Sequence, residues 1–416
     1  VTVTDGIPRL RGADSTVALL REGYAFGAHR FARTASDVFE TRLMLRPAVV
    51  AFGEEAARLL YEPDRTTRRR ALPPTTLTLL QDRGSVELLD GEAHRHRKQM
   101  FMSLMTPAAL AEIGDLVERE WRTGAPQWAG SGGVVLFDAV REVLFRAVCA
   151  WSGVPLDRED AGTRTRQLAA MVEGAGSVGP RNLHGQLLRH RAERWAGELI
   201  ARVRGGDPAV QEGRAAHVIA RHRDAEGRLL DPDVARVELL NVLRPTVAVA
   251  RFVVFAALAL HQHPECRTAV GENGYLRWFV QEVRRYYPFF PMVGGRVQQE
   301  FDWRGRRFTP GSWLLLDIYA TNHDPRLWAD PAAFRPERFG AWDGDPYTFL
   351  PQGAGEFSSG HRCAGEWLTI SVLERAVRLL TTGMTYEVPL QDLSVDLTRM
   401  PAAPASGLLL TDVRPA

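Results

Sequence analysis

Apolar residues along this chain fall mostly at helical spacing. From Ala108 to Trp121, the positions Leu110, Ile113, Leu116, Val117 and Trp121 recur every three to four residues, which places them on one face of a helix. Val134 to Trp151, Gln186 to Arg204, Asp231 to His263 and Trp367 to Leu380 follow the same period. Strand signals are few. Gly295 to Trp303 and Phe308 to Ile318 flank Arg304–Gly305, a pair suited to a hairpin turn. The pattern predicts a mainly α fold, a helical body with a small β annex.

The stretch beginning at Asp231 departs from the amphipathic rule. Asp231 is a fitting N-cap, with Pro232 and Asp233 at home in the first turn. Beyond them, Val237, Leu240, Leu243, Val247, Phe252 and Phe255 cover every face, so the helix belongs in the middle of the protein. Two residues defy that setting. Pro245 removes a ladder hydrogen bond, and Arg244 keeps its charge wherever it is placed. One reading pairs Arg244 with a carboxylate of the chain and makes Pro245 a kink. The other makes Arg244 an anchor for a substrate carboxylate, a group its planar fork binds bidentately.

Composition narrows the classes. The 416 residues carry 52 basic and 50 acidic side chains, a net charge of +2, so no global field recruits nucleic acid or anionic lipid. Thr246 to Leu260 falls short of the ~18 apolar residues of a membrane span and is broken by Arg251. Val1 to Ser15 is polar, unlike a signal peptide. The three cysteines, Cys149, Cys266 and Cys363, form no CxxC pair, which removes a disulfide framework and a cysteine-rich zinc site. A soluble, cytoplasmic protein is the expectation. Neither a repeat nor a linker divides the chain, so residues 1–416 read as one domain. Lys98 is the only lysine, and the arginine excess reads as a compositional habit.

The segment from Phe349 to Glu366 places Cys363 before an apolar helix and beside His361 and Arg362. Backbone N–H groups and cations there favour a thiolate, which serves as a nucleophile or as an axial ligand to haem iron. The glycines at 353 and 355 do not make a dinucleotide fingerprint, because Ser358 holds the third position and no strand precedes.

These residues carry a resemblance that covers nearly the whole chain. Glu282-Val-Arg-Arg285 is similar to the Glu-x-x-Arg of the cytochrome P-450 superfamily. Thr321 to Pro325, then Phe334 to Phe339, then the Gly-His-Arg-Cys-Ala-Gly loop at 360–365 follow in the superfamily's order. The loop departs from the usual pattern, with Glu356 at the aromatic position and Ser359 at the glycine position. That departure, together with Asn241-x-x-Arg-Pro245, Arg68 before Ala71-Leu-Pro73, Leu89-Asp-Gly91 and His94-x-His-Arg-Lys98, resembles the bacterial fatty-acid peroxygenases that use hydrogen peroxide.

The resemblance implies a cytochrome P-450 fold with haem b (iron protoporphyrin IX) buried under the long central helix and Cys363 as its proximal ligand. It implies propionate contacts from Arg68, His94, Lys98, Arg296 and His361, with Arg97 as an alternative to Lys98. Glu282 and Arg285 carry over as structural. Arg244 and Pro245 stand where monooxygenase relatives keep an acid–alcohol pair, so the substrate carboxylate held by Arg244 would supply acid/base chemistry. The implied reaction is hydroxylation of a carboxylic acid, a fatty acid, at the α or β carbon, with hydrogen peroxide and no obligatory reductase.

Alternatives are oxidative decarboxylation to a terminal alkene and oxidation of a shorter or more polar aryl or amino acid. A reductase-fed monooxygenase and a non-catalytic haem sensor are the further classes. Substrate contacts are expected from Gln81, Glu87, Phe289 and Phe290. Gln81 stands where an aromatic is usual, Glu87 where Gln or His is usual, and Phe290 is bulkier than the common glycine. Glu87 beside a substrate carboxylate would be like-charged unless it is protonated, paired with Arg83 or facing a substrate amine.

Overall fold

The computed structural model describes residues 6–157 and 159–416, so the first five residues of the polar amino-terminal stretch lie outside the described chain. The predicted helices are present with shifted ends. Ala108 to Trp121 is the first part of Pro107–Gly130, and Gln186 to Arg204 belongs to a helix that starts earlier, Pro180–Arg204. Val134–Val135 is a short strand paired with Leu409–Pro415, and the helix following it is Leu136–Ser152.

The long apolar stretch is two helices, Pro232–Ala248 and Ala250–Gln262, rather than one. Asp231 caps the first by accepting from the Asp233 N–H at 2.8 Å. Pro245 has no N–H to give the Asn241 carbonyl, and within a turn the ladder tightens. The Val249 N–H is shared between Pro245 O and Thr246 O, 3.2 Å from each. Every residue from Ala250 to Leu260 is buried in the main core. Pro232–Gln262 is long and apolar enough to cross a bilayer, but 89% of its most apolar window is enclosed by the rest of the chain. Arg251 lies in this core because Glu173 accepts from it at 2.6 Å and the Ala402 carbonyl at 2.6 Å.

The β annex is more broken than its pattern suggested. Phe301–Trp303 and Arg306–Phe308 form the hairpin, with Arg304 and Gly305 at φ 51° and 70°, the geometry of a two-residue turn. The flanking runs belong to another sheet, whose neighbouring strands are Val38–Leu43, Arg46–Ala51, Trp313–Asp317, Met292–Val297 and Thr66–Thr67. Two glycines fit this sheet closely against the chain that enters the site. A Cβ on Gly294 would lie 2.8 Å from Ala71 O, and one on Gly295 would lie 2.7 Å from Leu60. Register Thr67–Arg296 thereby sets Arg68 beside Gly294 and leads the chain into the helix Pro74–Leu80, which carries the rim of the cavity.

Candidate active site

The cysteine loop is fixed from both sides of its sulfur. Gly353 has φ 98° and its missing Cβ makes room for the Tyr61 hydroxyl, 2.8 Å from where that atom would stand. Cys363 N–H donates to Gln352 O at 3.0 Å, and the Gln352 side-chain amide reaches both Cys363 Sγ, at 3.7 Å, and Thr369 Oγ1, at 3.1 Å. Arg284 donates to Gln352 Oε1 at 3.1 Å and to Glu366 Oε1 at 2.6 Å, while Arg362 donates to Glu366 Oε2 at 2.6 Å. Burial pushes the Cys363 thiol up, and the Lys98 ammonium is the first influence pulling it down. Cys149 and Cys266 are buried, and both thiols are pushed up by that burial.

Beside the sulfur stand two cations, Lys98 and Arg68, and two imidazoles, His94 and His361, none of them ion-paired among the described residues. His94 and Lys98, four residues apart, share a face of the helix Gly91–Ser103. The His94 ring lies 4.0 Å from that of His361. Lys98 Nζ donates to Arg362 O, and Arg68 donates to Gly294 O at 2.7 Å with its guanidinium 4.7 Å above the Tyr61 ring. Among the described residues, no carboxylate forms an ion pair with Arg68, His94, Lys98 or His361. Burial, and then the neighbouring cations, hold His94 at about 4 and His361 well below its usual range, so both are neutral N–H donors.

Buried cations without an anion are costly. A thiol between them and an apolar helix matches the needs of haem, one axial thiolate and partners for two propionates. The donor set fits that group. Arg97 does not compete for the role, because it donates to Glu238 at 2.8 Å. Arg296 stands apart from the cluster: it lies 4.4 Å over the Trp313 ring, donates to Arg70 O at 3.0 Å and lines a surface hollow with Arg46 and Arg306.

Across the cavity, Arg244 is buried and forms no ion pair among the described residues. Its Nη2 donates to Leu80 O and to Asn241 Oδ1, the latter at 2.8 Å, and Asn241 in turn donates to Glu238 at 3.0 Å. These bonds occupy Nη2 and leave the N–H groups of Nε and Nη1 to donate to a carboxylate. Burial lowers Arg244 to about 10, which keeps it cationic at neutral pH. Burial, and next the charge of Glu87, push Glu238 up to about 7 against the pull of Arg97.

Pro245 follows Arg244 at the loosened turn, and the Thr246 hydroxyl donates back to Val242 O at 2.9 Å, so it is occupied by the helix itself. Gln81 shares a recess with Arg244, Thr78 and Arg189. Glu87 sits on the short turn Val86–Leu88, and its charge is felt at Arg244, Glu238, Lys98 and Cys363. Phe289 stacks on Phe252 with ring centres 4.5 Å apart, and Phe290 stands perpendicular to it at 4.8 Å. Sequence reasoning missed Tyr61 and Gln352, although Gln352 lies inside the loop that drew attention.

A helical body, a cysteine loop facing a kinked apolar helix and a set of unpaired cations define a haem-thiolate protein. Comparison with known proteins agrees. The cytochrome P-450 family profile matches residues 260–380. Human cytochrome P-450 26C1 (Homo sapiens) is 27% identical over 88% of this chain and 80% of its own.

Cytochrome P450SP alpha (CYP152B1), in complex with (R)-ibuprophen, is 46% identical, covers 97% of this chain and 99% of its own, and superposes with a TM-score of 0.94. Cytochrome P450EX alpha (CYP152N1) with myristic acid is 43% identical over 99% of each chain, TM-score 0.95. A variant of cytochrome P-450 OleT with arachidonic acid is 33% identical over 99% of each chain, TM-score 0.95. The chain belongs to the cytochrome P-450 family, in the group of the CYP152 enzymes.

Proposed function

We propose that this protein is a peroxygenase that uses hydrogen peroxide to hydroxylate a carboxylic acid, a fatty acid, at the α or β carbon. The observation that carries the reading is the buried Arg244 guanidinium, left without a carboxylate partner among the described residues. The molecules bound by the three solved relatives, (R)-ibuprophen, myristic acid and arachidonic acid, are all carboxylic acids.

Bound haem supplies, with hydrogen peroxide, the oxidising power to break an unactivated C–H bond, and a thiolate ligand favours O–O cleavage. Cys363 is placed to give that thiolate, steadied by the Gln352 amide. Arg68, His94, Lys98 and His361 would hold the propionates, and the resemblance adds Arg296, on the strand Met292–Val297 paired with Thr66–Thr67. Arg244 orients the substrate by its carboxylate, and this sets which carbons come within reach of the reaction. The same carboxylate is the group placed to accept a proton from peroxide and return it to the departing oxygen. On the central helix the Thr246 hydroxyl is bonded to its own helix, and Glu238 is held by Arg97 and Asn241. Phe289 and Phe290, beside Phe252, offer an apolar wall to the chain of the acid. No reductase is required in this reading, and the three free cysteines fit a reducing cytoplasm.

The test is turnover of a panel of carboxylic acids by the holoenzyme with hydrogen peroxide alone, products identified by mass. Acids gaining one oxygen at the α or β position are expected. Turnover that needs a reduced nicotinamide and electron-transfer partners, or none with peroxide, overturns the reading.

A further inference from the structure

The head-group end of the cavity holds two acceptors that nothing in the chain satisfies. Oε2 of Glu87 and the amide oxygen of Gln81 are both shut off from solvent and bond to no protein donor. Neither is needed by the local fold. Gln81 follows the end of the helix Pro74–Leu80, and Glu87 lies within the turn Val86–Leu88, whose only requirement is backbone geometry. Gln81 lines the same recess as Arg244 and directly follows Leu80, whose carbonyl accepts from the Arg244 guanidinium; Glu87 lies six positions further along the same segment.

Formal charges at this end sharpen the point. Arg97 is matched by Glu238 at 2.8 Å, and Arg189 by Asp82 and Glu193. Arg83 is exposed and forms no ion pair among the described residues, so it does not neutralise Glu87. With Lys98 assigned to the propionates, Arg244 and Glu87 remain without an ion-pair partner at this end among the described residues. An unsubstituted acid answers only half of this arrangement. Its carboxylate meets Arg244, but it sets a second negative group near Glu87 and brings no N–H or O–H for either acceptor. An acid with an ammonium group on the α or β carbon answers all of it, with a carboxylate for Arg244 and up to three N–H bonds for Glu87 and Gln81.

We propose that Glu87 and Gln81 determine head-group specificity, and that the acids favoured by this site carry an ammonium group next to the carboxylate and an apolar tail beyond it. This rests on the carboxylate anchoring by Arg244 argued above. Selection by unmet acceptors is strong, because a ligand lacking the donor leaves buried polar groups unpaired.

The measurement is binding to the purified holoenzyme, by calorimetry and by the haem Soret shift. Matched ligands of one chain length are compared: decanoic acid, 2-aminodecanoic acid and 3-aminodecanoic acid. One of the amino acids is expected to bind about 10- to 100-fold more tightly than decanoic acid. In Glu87→Gln, which keeps the side chain's shape, that ratio is expected to collapse or invert, with decanoic acid binding more tightly than to the wild type. Gln81→Leu weakens the amino acid alone. Equal affinity of all three ligands for the wild type, or an unchanged ratio in Glu87→Gln, overturns the proposal. Failure of the anchoring itself looks different: no ligand binds, or Arg244→Ala binds decanoic acid as the wild type does.

Discussion

On the cysteine side of the cavity, Glu366 receives bonds from Arg284 and Arg362, and Glu282 takes both Arg285 Nε and Nη2 at 2.7 and 2.8 Å, together with Arg335 N–H at 2.8 Å. On the Arg244 side, the guanidinium has no carboxylate and two buried oxygens have no donor. The carboxylates of the first side are satisfied without a substrate. Their networks position Cys363 whatever acid is present, because every arm of Glu282 and Glu366 is already held. The second side is complete only when a ligand arrives, so it discriminates between ligands. The reactive centre and the choice of substrate are therefore separately alterable, one by breaking pairs and the other by changing unmet groups.

The largest break comes at the sulfur. Cys363→Ala should abolish peroxide turnover and the carbon-monoxide difference band of a thiolate-ligated haem; a retained band would assign the ligand elsewhere. Arg244→Ala should lower peroxide-driven turnover of carboxylic acids by about 100- to 10,000-fold, the range expected when acid/base assistance is lost. Short acids added in trans should then restore oxidation of neutral molecules, and initial rates report both effects.

On the paired side, Glu366→Gln leaves Arg284 and Arg362 with a neutral partner in the interior. It should cost about 3 to 5 kcal/mol of stability, read as a fall in the unfolding midpoint. The smallest effect separates the fold from the site. Burial, and then Arg285, hold His323 at about 4, against 6.5 for the free group, and its Nδ1 is bonded to Tyr319 O at 2.9 Å. Between those pH values the unfolded chain takes up a proton that the native one refuses. Stability should therefore fall as pH drops through this window, by at most about 1.4 kcal/mol per pH unit from this group. Denaturant titrations at a series of pH values, repeated on His323→Gln, check the slope.

Much of the cysteine side was legible in the sequence because its residues sit close together along the chain. The Glu282–Arg285 pair spans three positions of one helix, so helical spacing alone brings it together, and Arg362 lies in the loop only four positions before Glu366. Arg97 and Glu238 are separated by 141 positions, and nothing local reveals that they meet. That contact is what reserves Lys98 for the cation cluster. The direction of Arg296 was hidden for another reason. Strand residues announce their face by alternation, and the two positions before Arg296 are glycines that point nowhere. The break at Val249 was hidden too, since the apolar run continues across it without a polar residue other than Arg251. Arg244 and Pro245 showed through because a charge and a helix breaker are conspicuous in such a run. Whether the chain itself supplied an acid for Arg244 could be read only from the folded molecule.

Lys98 is the sole side-chain amine of the protein, and it is buried with its nitrogen on the Arg362 carbonyl. Acylating reagents, amine crosslinkers and coupling resins find no lysine on the folded surface, however many arginines it displays. Acylation of Lys98 therefore requires the chain to open around it, and one modified peptide in a digest would record how often it does.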